Sequence, residues 1–148
     1  MSSDPHEVDR QGDFLISTDP DLLDVAMIHD FLTNRSYWAA GRSLEVLTRA
    51  IAYSLCFGLF EGERQVGFAR VVTDRATFAW LCDVFVLEGH RGRGLGKWLI
   101  KSILNHPELQ DLRRFLLGTR DAHGLYEQYG FTPLAAPDRF MEFQPPLR

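Results

Sequence analysis

Cysteine is scarce: Cys56 and Cys82 are the whole complement, without paired spacing and without a neighbouring histidine to complete a metal set. A disulfide framework and a zinc site are thereby excluded. Both residues lie in apolar runs and read as free, buried thiols, which implies a reducing, cytoplasmic setting. Long apolar runs are also missing. None approaches the roughly 20 residues of a membrane span, and the polar, acidic segment 1–12 lacks the basic start and apolar stretch of a signal peptide. Charge of one sign is scarce as well. No block of five like charges occurs and the net charge is −4, which argues against nucleic acid, whose phosphates call for a basic surplus. Repeats, low-complexity segments and internal linkers are absent.

What is present suits one globular domain. A chain of 148 residues that is 45% hydrophobic can build a core without metal or disulfide staples. Residues 1–12 read as a flexible N-terminal arm and 13–148 as the domain. Phe14–Ser17 reads as a strand, and Thr18 or Asp19 can cap a helix with Pro20 in its first position. Thr33 to Gly41 breaks the helical pattern as a loop, and Ser43 opens a second helix that runs to about Tyr53. Three strands follow in a meander: Leu55–Glu61, Gln65–Thr73 and Phe78–Leu87, with turns at Gly62 and Asp74. Helical period returns from Gly94 to Leu104 and stops at His106-Pro107. Phe115–Thr119 reads as a strand, Asp121 as the cap of a helix Ala122–Tyr129 closed by Gly130, and Phe131–Leu134 and Arg139–Phe143 as closing strands. The fold class is α/β: a central, mostly antiparallel mixed sheet of six to seven strands flanked by about four helices.

The chemistry concentrates between Cys82 and Leu99. A strand end, Val84-Phe85-Val86, runs into the turn Arg91-Gly92-Arg93-Gly94-Leu95-Gly96, and a helix starts near Lys97. The first N–H groups of a helix have no internal partner and carry the positive end of its dipole. Glycines let a phosphate approach them, and Arg91, Arg93 and Lys97 add charge, so the segment is an anion seat. A plain tight turn would not call for three glycines and three cations. The dinucleotide motif fails on glycine spacing, and the Walker loop fails because Trp98 follows Gly96-Lys97.

Arg91-x-x-Gly94-x-Gly96 resembles the Q/R-x-x-G-x-G/A motif of the GNAT acetyltransferase superfamily, and Leu125-Tyr126-Glu127-Gln128-Tyr129-Gly130-Phe131 resembles its later L-Y-E-x-x-G-F signature. The two motifs lie in the family's order, and the likeness extends over nearly the whole chain after residue 12. The resemblance implies an N-acetyltransferase that carries the acetyl group of acetyl-CoA to a primary amine by direct attack, without a metal. A non-catalytic acyl-CoA sensor on the same fold is the alternative.

By that likeness, Val84, Phe85 and Val86 would hold the pantetheine arm. A backbone N–H near Val84 or Phe85 would polarise the thioester. Arg91, Gly92, Arg93, Gly94, Leu95, Gly96 and Lys97 would receive the pyrophosphate. Tyr126 falls on the family's general-acid tyrosine; a phenol with a pKa of about 10 is protonated at neutral pH and can supply the departing sulfur. Thr119 stands where the family often has a cofactor-contacting Asn. Asp83 is the candidate general base: strand alternation sets it opposite Cys82 and Val84, a bulge near this strand's end would reverse that, and a purely structural role stays open. His90 and His123 read as solvated or capping. Tyr37 and Trp38, in the loop the family uses to wall the acceptor, and Cys82 are the substrate-binding candidates, with His29 and Asp30 near the same cleft. Dimerisation is common in the family, so a homodimer is an expected partner that no residue marks.

Overall fold

The computed structural model describes residues 4–146. These separate into two compact units, 4–118 and 119–146.

The first unit is built on one six-stranded sheet whose strands lie in chain order. They are β1 (Glu7–Gln11), β2 (Phe14–Ser17), β3 (Leu55–Glu61), β4 (Arg64–Thr73), β5 (Phe78–Val86) and β6 (Arg114–Leu117). Neighbours are antiparallel except β5 and β6, which run parallel. β3 is buried along almost its full length, as a central strand covered on both faces must be. Helices α1 (Val25–Arg35) and α2 (Leu44–Ala52) cover one face, where Ile28, Phe31, Leu32 and Leu47 pack with Cys56, Phe68 and Phe85. Alternation along β3 turns Phe57 and Leu59 to the other face. There Phe57 meets the ring of His106, just beyond α3 (Leu95–Leu104), at 5.4 Å edge to face.

Several expected elements shift for identifiable reasons. Residues 7–11 are not a flexible arm: they form β1, joined to β2 by a two-residue turn with Gly12 at φ 57°. β1 escapes notice in the sequence because it is a polar edge strand without apolar alternation. The indole N–H of Trp98 on α3 donates to Asp9 at 2.7 Å and pins it. Asp19 caps a 3-10 turn, Pro20–Leu22, rather than the helix itself. α1 begins after Asp24, whose carboxylate accepts from Met27 N at 3.0 Å, and it continues through Thr33–Arg35, expected as loop. α2 starts at Ser43 as expected, with its hydroxyl accepting from Val46 N.

The second unit holds α4 (His123–Glu127) and a 3-10 turn at Pro137–Arg139. Asp121 is not its cap; the Thr119 hydroxyl accepts the N–H of Ala122 at 3.0 Å. Gly130, at φ 93°, closes the helix as expected, with its N–H on Glu127 O. Phe131–Leu134 and Arg139–Phe143 form no strands. Pro133 lacks the N–H donor a ladder needs and interrupts the first segment, while the 3-10 turn Pro137–Arg139 takes up the start of the second.

Candidate active site

β5 pairs with β6 from Phe78↔Arg114 to Leu81↔Leu117, and no further. From Cys82 to Val86 the edge facing away from β4 has no strand partner among the described residues. Val84, Phe85 and Val86 stand on this open stretch. Phe85 is buried, stacked on Phe31 of α1 at 3.9 Å and 10°, which fixes the backbone beneath it.

Against β4 the same stretch is bulged. Arg70 pairs with Cys82 and Phe68 with Phe85, so Asp83 and Val84 together face Ala69. Asp83 takes up the extra length at φ 55°, a left-handed conformation that aspartate tolerates better than most residues. The bulge brings the Asp83 carboxylate to Arg70, the residue standing across from Cys82, instead of the side opposite Cys82 that simple alternation assigns.

Beyond Val86 the chain makes a 3-10 turn, Glu88–His90, and enters the glycine segment. Gly92 and Gly94 have φ of 81° and 77°, and a Cβ at either would meet nothing within 4 Å. Gly94 is the N-cap of α3 and offers no side chain to its first N–H groups. The start of a ten-residue helix is therefore left uncapped beside open space at two glycines. Arg91, Arg93 and Lys97 are exposed around it, while Leu95 is buried as the helix's first core contact. Arg91 folds back to donate from Nε to Val86 O at 3.0 Å, tying the turn to the strand end. His90, expected to be solvated or capping, is instead buried, with Nε2 3.2 Å from Glu61.

The loop between α1 and α2 reaches the bulge. Trp38 Nε1 donates to Asp83 Oδ1 at 3.0 Å, and Arg42 Nη1 to Oδ2 at 2.7 Å; Arg70 Nε donates to the same Oδ2 at 2.8 Å. Arg70 also donates to Ser54. Burial alone would push the Asp83 carboxyl up, but the hydrogen bonds and charges of Arg70 and Arg42 outweigh it and hold the group below the usual carboxylate range. Tyr37 and Trp38 are partly exposed and stack edge to face at 5.1 Å. His29 holds the loop by bonding Arg42 O at 3.0 Å, whereas Asp30 points to Asn34 and Arg35. Burial pushes the Cys82 thiol up to about 11 and that of Cys56 to about 12, so both are protonated at neutral pH, and both are free. The sequence reading missed Arg42 and Arg70 altogether; a charged residue at position 70 inside the apolar run of β4 was the available signal.

Tyr126 and Thr119 belong to the second unit. Tyr126 is half-buried on α4, its ring 5.9 Å from Phe131, and Thr119 spends its hydroxyl on Ala122. Elsewhere in the first unit a cavity of about 490 Å³ opens beside Ile51, Ser54, Cys56 and His106; none of the site residues named from the sequence lines it, and Ser54 ties it to Arg70. No helix among the described residues is long and apolar enough to cross a membrane.

The family model for the acetyltransferase (GNAT) domain matches residues 52–133, more than half of the chain. The chain belongs to the GNAT acetyltransferase family. A Gibberella zeae protein named "Putative acetyltransferase FG08082" is 38% identical over 138 residues, covering 78% of this chain and 77% of its own. Among solved structures, a GNAT-family protein from Xanthomonas campestris pv. campestris is 52% identical, covers 93% of this chain and 96% of its own, and superposes with a TM-score of 0.88. A Clostridium acetobutylicum protein crystallised with acetyl-CoA shares the fold at 14% identity and a TM-score of 0.65, covering 88% of this chain and 94% of its own. The six-stranded mixed sheet with four α-helices is thus a GNAT fold, and the protein is an acyl-group transferase of that family.

Proposed function

We propose that this acetyltransferase binds acetyl-CoA along the open edge of β5 and the start of α3, and passes its acetyl group to a primary amine of a small molecule or peptide within a ternary complex. The observation that carries the reading is the continuity of the unpaired edge Cys82–Val86 with an uncapped helix start opened by Gly92 and Gly94. An extended amide-bearing arm needs backbone partners along a strand, and a pyrophosphate needs several N–H donors converging at one point; both are offered within one segment. The acetyltransferase domain is proposed to begin at β1 rather than at residue 13.

The thioester supplies an activated acetyl carbon. Val84 and Phe85 would present a backbone N–H to its carbonyl oxygen, worth about 3–4 kcal/mol where such a donor is preorganised. The N–H groups of residues 92–97, with Arg93 and Lys97 beside them, would hold the diphosphate. In the transfer a C–N bond forms to the amine, the C–S bond breaks, the sulfur takes a proton from the Tyr126 phenol, and the amine's surplus proton leaves to solvent and returns to the phenolate. Asp83 is proposed here as an anchor rather than as the general base. A base at neutral pH needs a pKa near the working pH, and Asp83 has both oxygens engaged and is held well down. Tyr37 and Trp38, secured by that anchor, would wall the acceptor, with Cys82 a neutral contact beside them.

A thiol-release assay with acetyl-CoA and a panel of amines, run on the wild type and on Tyr126→Phe, tests the reading. Turnover by the wild type that falls about 100-fold or more in the variant, with coenzyme A affinity within threefold, is expected. Unchanged turnover in the variant would remove Tyr126 from the mechanism, and absence of acetyl-CoA binding would remove the reading itself.

A further inference from the structure

Asp83 is one carboxylate shared by two guanidinium groups. Both ion pairs end on the same oxygen, Oδ2, while Trp38 takes the other. Arg70 has a second bond, to Ser54, and its side chain is 13% exposed; that of Asp83 is 1% exposed. Arg42 differs. Nη1 is its one engaged side-chain nitrogen, its Nε and Nη2 donate to nothing among the described residues, and 21% of its side chain is exposed.

Within the first unit, no further ion pair among the described residues joins the cluster. The charged pairs on the flanking helices are matched within themselves, Asp30 with Arg35 and Glu45 with Arg49. The neighbouring cysteines are thiols, not thiolates. One net positive charge thus sits, largely desolvated, at the bulge of β5 beside the backbone groups of Val84 and Phe85. A surplus charge so placed is costly unless an anion completes it. The free edge of Arg42, Nε with Nη2, has the geometry that grips a carboxylate by two parallel hydrogen bonds.

We infer that the acceptor of this enzyme is an amine that also carries a carboxylate, and that Arg42 is the residue that selects it. The inference rests on the acetyltransferase reading above and names the substrate class of that same site. Polycationic acceptors would meet a like charge there and are disfavoured.

Binding can be measured without turnover. The full chain, saturated with coenzyme A, is titrated calorimetrically with N-acetylglycine, N-acetyl-β-alanine and N-acetylphenylalanine, each against its primary amide. At least one carboxylate is expected to bind tenfold or more tightly than its amide. Arg42→Gln should shrink that ratio to threefold or less, while Arg42→Lys, which keeps the charge, should retain part of it. Equal binding of acid and amide, no binding of any acid, or a preference that survives Arg42→Gln would each overturn the inference. Failure of coenzyme A itself to bind would instead strike at the acetyltransferase reading and bring the inference down with it.

Discussion

Replacing Asp83 by Asn keeps the size of the side chain and removes its charge. Three donors converge on that carboxylate: Arg42 Nη1, Arg70 Nε and Trp38 Nε1, at 2.7, 2.8 and 3.0 Å. An amide offers one acceptor oxygen and turns its NH₂ toward the remaining donors, so at least one bond is lost and two cationic groups lose their counter-charge. Removing one partner from a buried ion pair typically costs about 3–5 kcal/mol. For a chain of this length that lowers Tm by roughly 6–20 °C. Melting followed by circular dichroism at pH 7, with urea unfolding for the free energy, measures it. The pH dependence is a second signature. Because the folded-state pKa of Asp83 is depressed, its contribution is fully present above the ordinary carboxylate pKa of about 3.9 and is lost as pH falls through the folded value. The wild type should therefore lose part of its margin over the variant in acid, and the two stability curves should converge below about pH 4. A variant within 1 kcal/mol of the wild type at pH 7, or a difference that does not shrink in acid, would refute the assignment of Asp83 as the anchor of the bulge.

The remaining expectations concern the elements around that bulge. Gly94→Ala meets no steric obstacle but forces a left-handed backbone on alanine; it should cost about 1–2 kcal/mol in urea unfolding and weaken acetyl-CoA binding several-fold by calorimetry, and neutrality on both counts would remove Gly94 from the site. Trp98→Phe deletes the bond to Asp9. A loss of about 1 kcal/mol should appear as roughly fivefold faster amide exchange confined to Glu7–Gln11, and unchanged exchange there would show that β1 is held by its pairing with β2 alone.

The sequence was most legible where structure is local. The hairpin turn at Gly62, the Ser43 cap, the strand–glycine–helix passage from Val84 to Lys97 and the stop at His106-Pro107 each depend on residues a few positions apart. β1 had a local signal too, in Gly12-Asp13, but its polar edge character masked it. What could not be read was the partnership around Asp83. Its three donors lie 45, 41 and 13 residues away in the chain, and they meet it through a one-residue bulge that no periodicity announces. Simple alternation therefore put Asp83 on the wrong side, and arginines 42 and 70 drew no notice. The closing strands failed for the opposite reason: Phe131–Leu134 and Arg139–Phe143 have strand-like side chains, but Pro133 denies the first a ladder donor and the 3-10 turn Pro137–Arg139 takes up the start of the second.

Amide hydrogen exchange of the full chain with and without acetyl-CoA is the most direct test of where the cofactor lies. The expected result is slowed exchange at Val84–Val86 and at Gly92–Lys97 together, with the far strands β1 and β2 unchanged. Protection elsewhere with none at those two segments would contradict the proposed site.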